Sequence, residues 1–301
     1  MDLTALADCV ASLSCVMTQT TAGLLVGGLL FLVAAGLTLI FGVLKVINFA
    51  HGSFYMLGAY FALTGFRLTG SFTVAVILSA AGVALCAFVF ERLLMRKVYG
   101  SDVLMQLLVC YALILILDDV VKMAWGPEFQ SLGMPEAFRL PPLLIAGGIV
   151  PVFYLFLMGA AGVIAVFLWY ILTRTRLGRV VRAAAHNPTM TSALGLNTSA
   201  LYGAVFAFGG LLAGLAGALA APVRSMSPGM GFSILIESFI VTVIGGMGSV
   251  AGALVGALLL GLIRSFGSIG FPLFVEGTMF AAMVLILVFR PSGLMGREPR
   301  L

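Results

Sequence analysis

With 301 residues, 62% of them hydrophobic, and a mean hydropathy of +1.19, the chain carries more apolar surface than a soluble fold of that length can hide. Its pI near 9.2 does not indicate a nucleic-acid partner, because the 16 basic residues sit mainly at the ends of hydrophobic runs rather than on one polar face. The composition predicts an all-α polytopic transmembrane helical bundle with the lipid bilayer as its main surroundings.

Asp2 and Asp8 leave the start without the basic region that a cleavable signal peptide needs, so residues 1–21 read as an N-terminal segment. Insertion is expected at the first hydrophobic span. A helix that crosses a core of roughly 30 Å needs about 20 apolar residues. Charge-free windows at 22–44, 68–90, 103–117 (running past Asp118 to about 124), 140–173, 201–221 and 272–289 qualify. Pro151 is expected to open the fourth helix, which leaves about 150–172 as the span. Cys9, Cys15, Cys86 and Cys110 have neither CxxC pairing nor metal spacing and are expected to be packing residues, with no metal site.

Orientation follows from the bias of basic residues toward the inner side. Arg92, Arg96, Lys97, the arginines Arg174, Arg176, Arg179 and Arg182, and Arg290, Arg297 and Arg300 make up ten of the 16 basic residues and belong inside. This places the long basic loop 173–200 and the tail 290–301 in the cytoplasm. Segments with Glu128 and Glu136 then lie outside. Parity creates a constraint: if 201–221 runs outward and the tail is inside, residues 235–266 must begin and end outside. The break falls at Gly245-Gly246-Met247-Gly248-Ser249, where glycines permit a sharp turn, so a short helix in, a reversal and a Gly-rich helix back are expected. The same argument applies after 22–44, where Lys45, Asn48, His51 and Ser53 interrupt the apolar run. LTLIFGVLKVINFAHGSFYMLGAY can be laid over IVTVIGGMGSVAGALVGALLLGL as a faint internal repeat, and interrupted helices in duplicated halves are a recurrent transporter design.

Polar groups at membrane depth mark candidate sites. Asn48 and His51, with Ser53 and Tyr55 close behind, share a helical face, and either a substrate path or satisfaction of freed backbone groups explains them. Glu237 opens the second hairpin on the outer side, and Thr242 and Ser249 follow it. A carboxylate there attracts the amino group of a substrate, caps a helix or stays solvated. Asp118 and Asp119 read as capping or solvated groups. Gly248, Gly252 and Gly256 recur every four residues, as do Gly210 and Gly214, and this spacing predicts close helix packing, with Gly245 and Gly246 at the hinge. There is no Ser-His-Asp set, no HExxH and no GxxxxGK[ST], so no catalytic site or nucleotide site is expected.

GLTLIFGVLKVINFAHGSFYMLGAY, LGRVVRAAAHNPTMTSALGLN, VIGGMGSVAGALVGALLLG and the terminal RPSGLMG together resemble the membrane-spanning permeases of bacterial branched-chain amino acid ABC transporters, most closely the H-type subunit of the Liv system. They are spread over most of the chain. The resemblance implies one permease domain over 1–301 in the bacterial inner membrane, paired with a second, related permease, two cytoplasmic ATPases and a periplasmic binding protein. It implies no cofactor in this chain, ATP and Mg being held by the ATPases. In such systems the RAxA…G segment supplies a coupling helix. That role falls here on Arg182, Ala183, Ala185 and Gly195, with Leu177, Gly178, Arg179 and Asn187 alongside.

The expected mechanism is alternating access: closure of the ATPases moves the coupling segments, and the hairpins open a central path to one side and then the other. The cargo the resemblance implies is branched-chain amino acids or related small amino acids, amides or carboxylates; the alternatives from other classes are an ATP-independent secondary transporter or channel for a small solute such as urea, and a membrane anchor for an enzyme complex.

Overall fold

The computed structural model describes residues 3–296, so Asp2, Arg297 and Arg300 lie outside the described residues. Short α1 (Leu3–Ala11) leads into α2 (Leu13–Leu44), then α3 (His51–Thr69), α4 (Phe72–Val98) and α5 (Val103–Trp125). After an outer segment come α6 (Val152–Arg174), the two short helices α7 (Arg176–His186) and α8 (Pro188–Ala193), and α9 (Thr198–Ala220). The chain closes with α10 (Met230–Gly245), α11 (Val250–Gly270) and α12 (Val275–Phe289). Among the described residues, seven helices are long and apolar enough to cross a membrane: α2, α4, α5, α6, α9, α11, and α12 with the turn before it. The chain is thus an all-α multi-pass membrane protein.

Burial divides the bundle into a centre and a rim. The apolar windows of α2 and α9 are 78% and 72% buried, against 11%, 17% and 6% for α5, α6 and α12. Apolar helices that bury so little of themselves face lipid or another membrane subunit. At the centre α2 packs along α11, and α9 lies against α3 and α4.

The two breaks shape the interior. Lys45 ends α2 in a left-handed conformation, φ 58°, and its N–H bonds the Phe41 carbonyl. Residues 46–50 are non-helical, and α3 then returns outward. The second reversal, between α10 and α11, uses Gly246 (φ 98°) and Gly248 (φ 89°), conformations that a side chain disfavours. Gly248 therefore sits in the turn, not on the face of α11 that carries Gly252 and Gly256. Those two glycines press α11 against α10, since a Cβ on Gly256 would lie 3.0 Å from the Val241 carbonyl oxygen. The segment 290–296 closes the turn: Leu294 and Met295 N–H groups bond the Ile244 and Gly245 carbonyls at 2.8 and 3.1 Å. These carbonyls end a helix, so the tail supplies donors that the helix itself lacks. The two hairpins interlock, with α2 on α11 and α10 on α3.

On the outer side Cys9 and Cys15 form a disulfide that joins α1 to α2. This corrects the expectation that all four cysteines are packing residues, which holds for Cys110, buried, and Cys86, partly buried, both of them free. A break after Ala11 turns α1 back and brings the two thiols together, with Cα atoms 5.2 Å apart, and an oxidising compartment keeps such a bond. The outer segment also carries a hairpin, β1 (Leu143–Ile145) paired antiparallel to β2 (Gly148–Val150). Ala146 (φ 50°) and Gly147 (φ 81°) form its two-residue turn.

Candidate functional site

The polar residues singled out in the first break are held by backbone groups. His51 is fully buried at the start of α3, with Nε2 3.0 Å from the Val33 carbonyl oxygen of α2. That pairing makes Nε2–H the donor and ties the re-entrant helix to the crossing one. Asn48 is equally buried, and its Oδ1 accepts from the Ala50 N–H at 3.2 Å and from the Cys110 thiol at 3.8 Å. Ser53 is buried with no hydrogen-bond partner for its hydroxyl among the described residues. Thr242 donates to the Ser238 carbonyl at 2.9 Å and accepts from Thr38 at 3.2 Å, which links α10 to α2. Ser249 caps α11, its hydroxyl accepting from the Gly252 N–H at 3.1 Å. The bonds of Asn48, His51, Thr242 and Ser249 tie the two breaks to neighbouring segments.

Tyr55 and Glu237 stand apart from that group, in a cavity in the outer half of the bundle. Glu237 lies eight residues before Gly245, about 12 Å along α10 from the inner turn. It is 9% exposed and ion-paired through Oε1 with Arg264 of α11. Its other oxygen is 4.0 Å from Arg224 Nη2, and Arg224 lines the same cavity as Tyr55. Glu237 is thus neither a cap nor a solvated group. Arg224 and Arg264 escaped the sequence reading, because the topological rule assigns arginines to loops. The available signal was Arg264 itself, a charge within a helix-length apolar segment. Asp118 faces the backbone of Gly229, while Asp119 pairs with Lys122 at 2.9 Å on the exposed surface, where such a pair contributes little.

At the end of the bundle that holds the two breaks, 173–200 folds into α7 and α8. Thr175 caps α7 by accepting from the Gly178 N–H at 3.2 Å, and Asn187 caps α8 by accepting from the Met190 N–H at 2.9 Å. Gly178 is buried against the carbonyls of Ile171 and Leu172, so only hydrogen fits there. Gly195, at φ 83°, follows α8 and releases the chain into α9. Val181 and Ala185 rest on Leu39, Val43 and Val205, at the inner ends of α2 and α9. The other face of α7, with Arg176, Leu177, Arg179, Arg182 and Ala183, is open. Arg182 and Ala185 also line a cavity of about 500 Å³ with Lys45, Gly248 and Ser249, so α7 borders both breaks at once.

A second charged group joins this region to α4. Glu91, fully buried in a π turn (Glu91–Met95), lies 3.4 Å from Arg96, and Arg96 donates to the Ser199 carbonyl at the start of α9 at 3.1 Å. Tyr99 donates to Glu91 at 3.1 Å, and burial together with that carboxylate pushes the phenol well above its ordinary range. It remains a donor at physiological pH.

Two interrupted hairpins around a charged cavity, with a basic two-helix segment docked beneath them, define a multi-pass transport permease. The family model described as branched-chain amino acid transport system / permease component matches residues 19–289, and the chain belongs to that family. It is 30% identical over 294 residues to the high-affinity branched-chain amino acid transport system permease protein BraD of Pseudomonas aeruginosa, covering 93% of this chain and 96% of that protein. It is 28% identical over 306 residues to the LivH permease protein of Escherichia coli K12, with the same coverage. The probable LivH of Methanocaldococcus jannaschii is 28% identical over 89% of each chain. No solved structure matches.

Proposed function

We propose that this chain is the permease subunit of an ATP-driven importer of branched-chain amino acids in a bacterial inner membrane. It works beside a second, related permease, receives substrate from a periplasmic binding protein, and is driven by two cytoplasmic ATPases that hold ATP and Mg. It has no catalytic chemistry of its own. The whole chain, 1–301, acts as one permease domain, with 173–200 as the coupling loop and 290–301 as an inner tail.

The observation that carries this reading is the placement of α7, with basic and apolar residues exposed and its opposite face packed on the ends of α2 and α9. The open arginines suit acidic groups on a soluble partner, and the small Ala183 permits close seating. A push on α7 reaches the ends of α2 and α9 beside the breaks through the packing of Val181 and Ala185 on Leu39, Val43 and Val205. Alternating access then follows as a shift between two packings of the interrupted hairpins.

Replacement of residues 179–195 by a Gly/Ser linker of equal length tests the coupling role. Uptake by the reconstituted transporter is expected to fall to background while the permease pair still copurifies. Undiminished uptake would remove α7 and α8 from the mechanism.

A further inference from the structure

The cavity around Glu237 has two compartments. One, of about 310 Å³, is lined by Arg224, Glu237, Arg264, Glu276 and Ser233. The other, of about 260 Å³, is walled mainly by Leu25, Val26, Leu29, Leu30, Val33 and Ile234. They share Tyr55, Arg224, Ile234 and Arg264, so the two adjoin at these four side chains.

We propose that this cavity is a binding site for an α-amino acid zwitterion, with the carboxylate on Arg224 and Tyr55, the ammonium on Glu237, and an aliphatic side chain in the apolar compartment. This rests on the import reading given above.

Three observations carry it. Glu237 Oε1 is committed to Arg264, while Oε2 is buried with no hydrogen-bond partner among the described residues. Arg224 stands 4.0 Å from that oxygen, too far for a hydrogen bond, so one acceptor and one cation stand side by side at the cavity wall without a hydrogen bond between them. An ammonium and a carboxylate on neighbouring atoms of one ligand match that pair. The second observation is charge balance. Two arginines and two glutamates line the polar compartment, so a net-neutral ligand enters without leaving an uncompensated charge in the membrane, whereas a simple carboxylate or amine does leave one. The third is the wall. Each methylene moved from water onto those aliphatic side chains strengthens binding about fourfold, which ranks leucine above valine and valine above alanine.

The test uses the complete transporter in lipid nanodiscs without its binding protein, carrying Ser233→Cys as a reporter in the polar compartment. The rate of thiol labelling is followed against ligand concentration, with the unsubstituted complex as background for Cys86 and Cys110. Leucine is expected to slow labelling. 4-Methylpentanoate, which lacks the ammonium, and 3-methylbutylamine, which lacks the carboxylate, are each expected to need at least about tenfold more for equal protection. Adding Arg224→Gln is expected to raise the protecting leucine concentration at least about 30-fold. Equal protection by leucine and 4-methylpentanoate, or unaltered protection in Arg224→Gln, overturns the site; the ligand series needs no change at Arg224 and stands even where that variant is unstable. ATP-driven uptake by the same preparation separates the two readings. Uptake without protection overturns the site and keeps the importer, and protection without ATP-driven uptake does the reverse.

Discussion

Gly52→Val is expected to unfold the centre of the bundle, with a loss of about 3 kcal/mol or more. A Cβ at Gly52 runs into the Gly231 carbonyl oxygen and lies 2.9 Å from Cβ of Leu235, so α3 and α10 meet there almost backbone to backbone. Side chains can rotate away from an added methyl group, but a carbonyl in a helix cannot. The residue next to it, His51, ties the same helix to α2, so separating α3 from α10 also strains the link to Val33. Thermal unfolding of the purified permease checks this. A large drop in Tm is expected for Gly52→Val and little change for Gly159→Val, whose Cβ would meet nothing within 4 Å on the rim helix α6. Equal stability of the two variants would contradict the backbone contact.

Glu237→Ala is expected to cost about 3 kcal/mol, because it strands Arg264 in the membrane without its partner. The figure belongs at the low end for a broken buried pair, since the Arg264 side chain keeps 30% of its exposure and Glu237 keeps 12%. The double replacement Glu237→Ala with Arg264→Met should regain part of the loss, as it removes the charge that Glu237→Ala alone would strand. A double-mutant cycle on thermal unfolding measures this. Strict additivity of the two changes would show that the pair carries no coupling.

Most of the bundle was legible because lipid imposes simple rules. Length and charge placed six windows on α2, α4, α5, α6, α9 and α12, although α2 starts nine residues before its window and α4 ends eight residues after its own, and parity with the glycines at 245–248 located the inward reversal between α10 and α11. The early break was signalled by Lys45 and Asn48, where a helix gave out before the next one began. Contacts between distant segments were not legible. Glu237 meets Arg224 and Arg264 at separations of 13 and 27 residues, and no periodicity records such a pairing. Glu91 and the Ser199 carbonyl meet through Arg96 for the same reason. The Cys9–Cys15 disulfide depended on a reversal at Ser12 that the local sequence does not announce. His51 and Asn48 stood out in the apolar run, and the bond from His51 to the Val33 carbonyl was not legible there.

The central claim is that this chain moves amino acids at the expense of ATP hydrolysed by other subunits. Uptake of labelled leucine into proteoliposomes holding the complete transporter tests it most directly. The account predicts accumulation only when ATP is enclosed in the lumen and the binding protein is outside. Accumulation driven by an imposed proton or sodium gradient in the absence of ATP would contradict it.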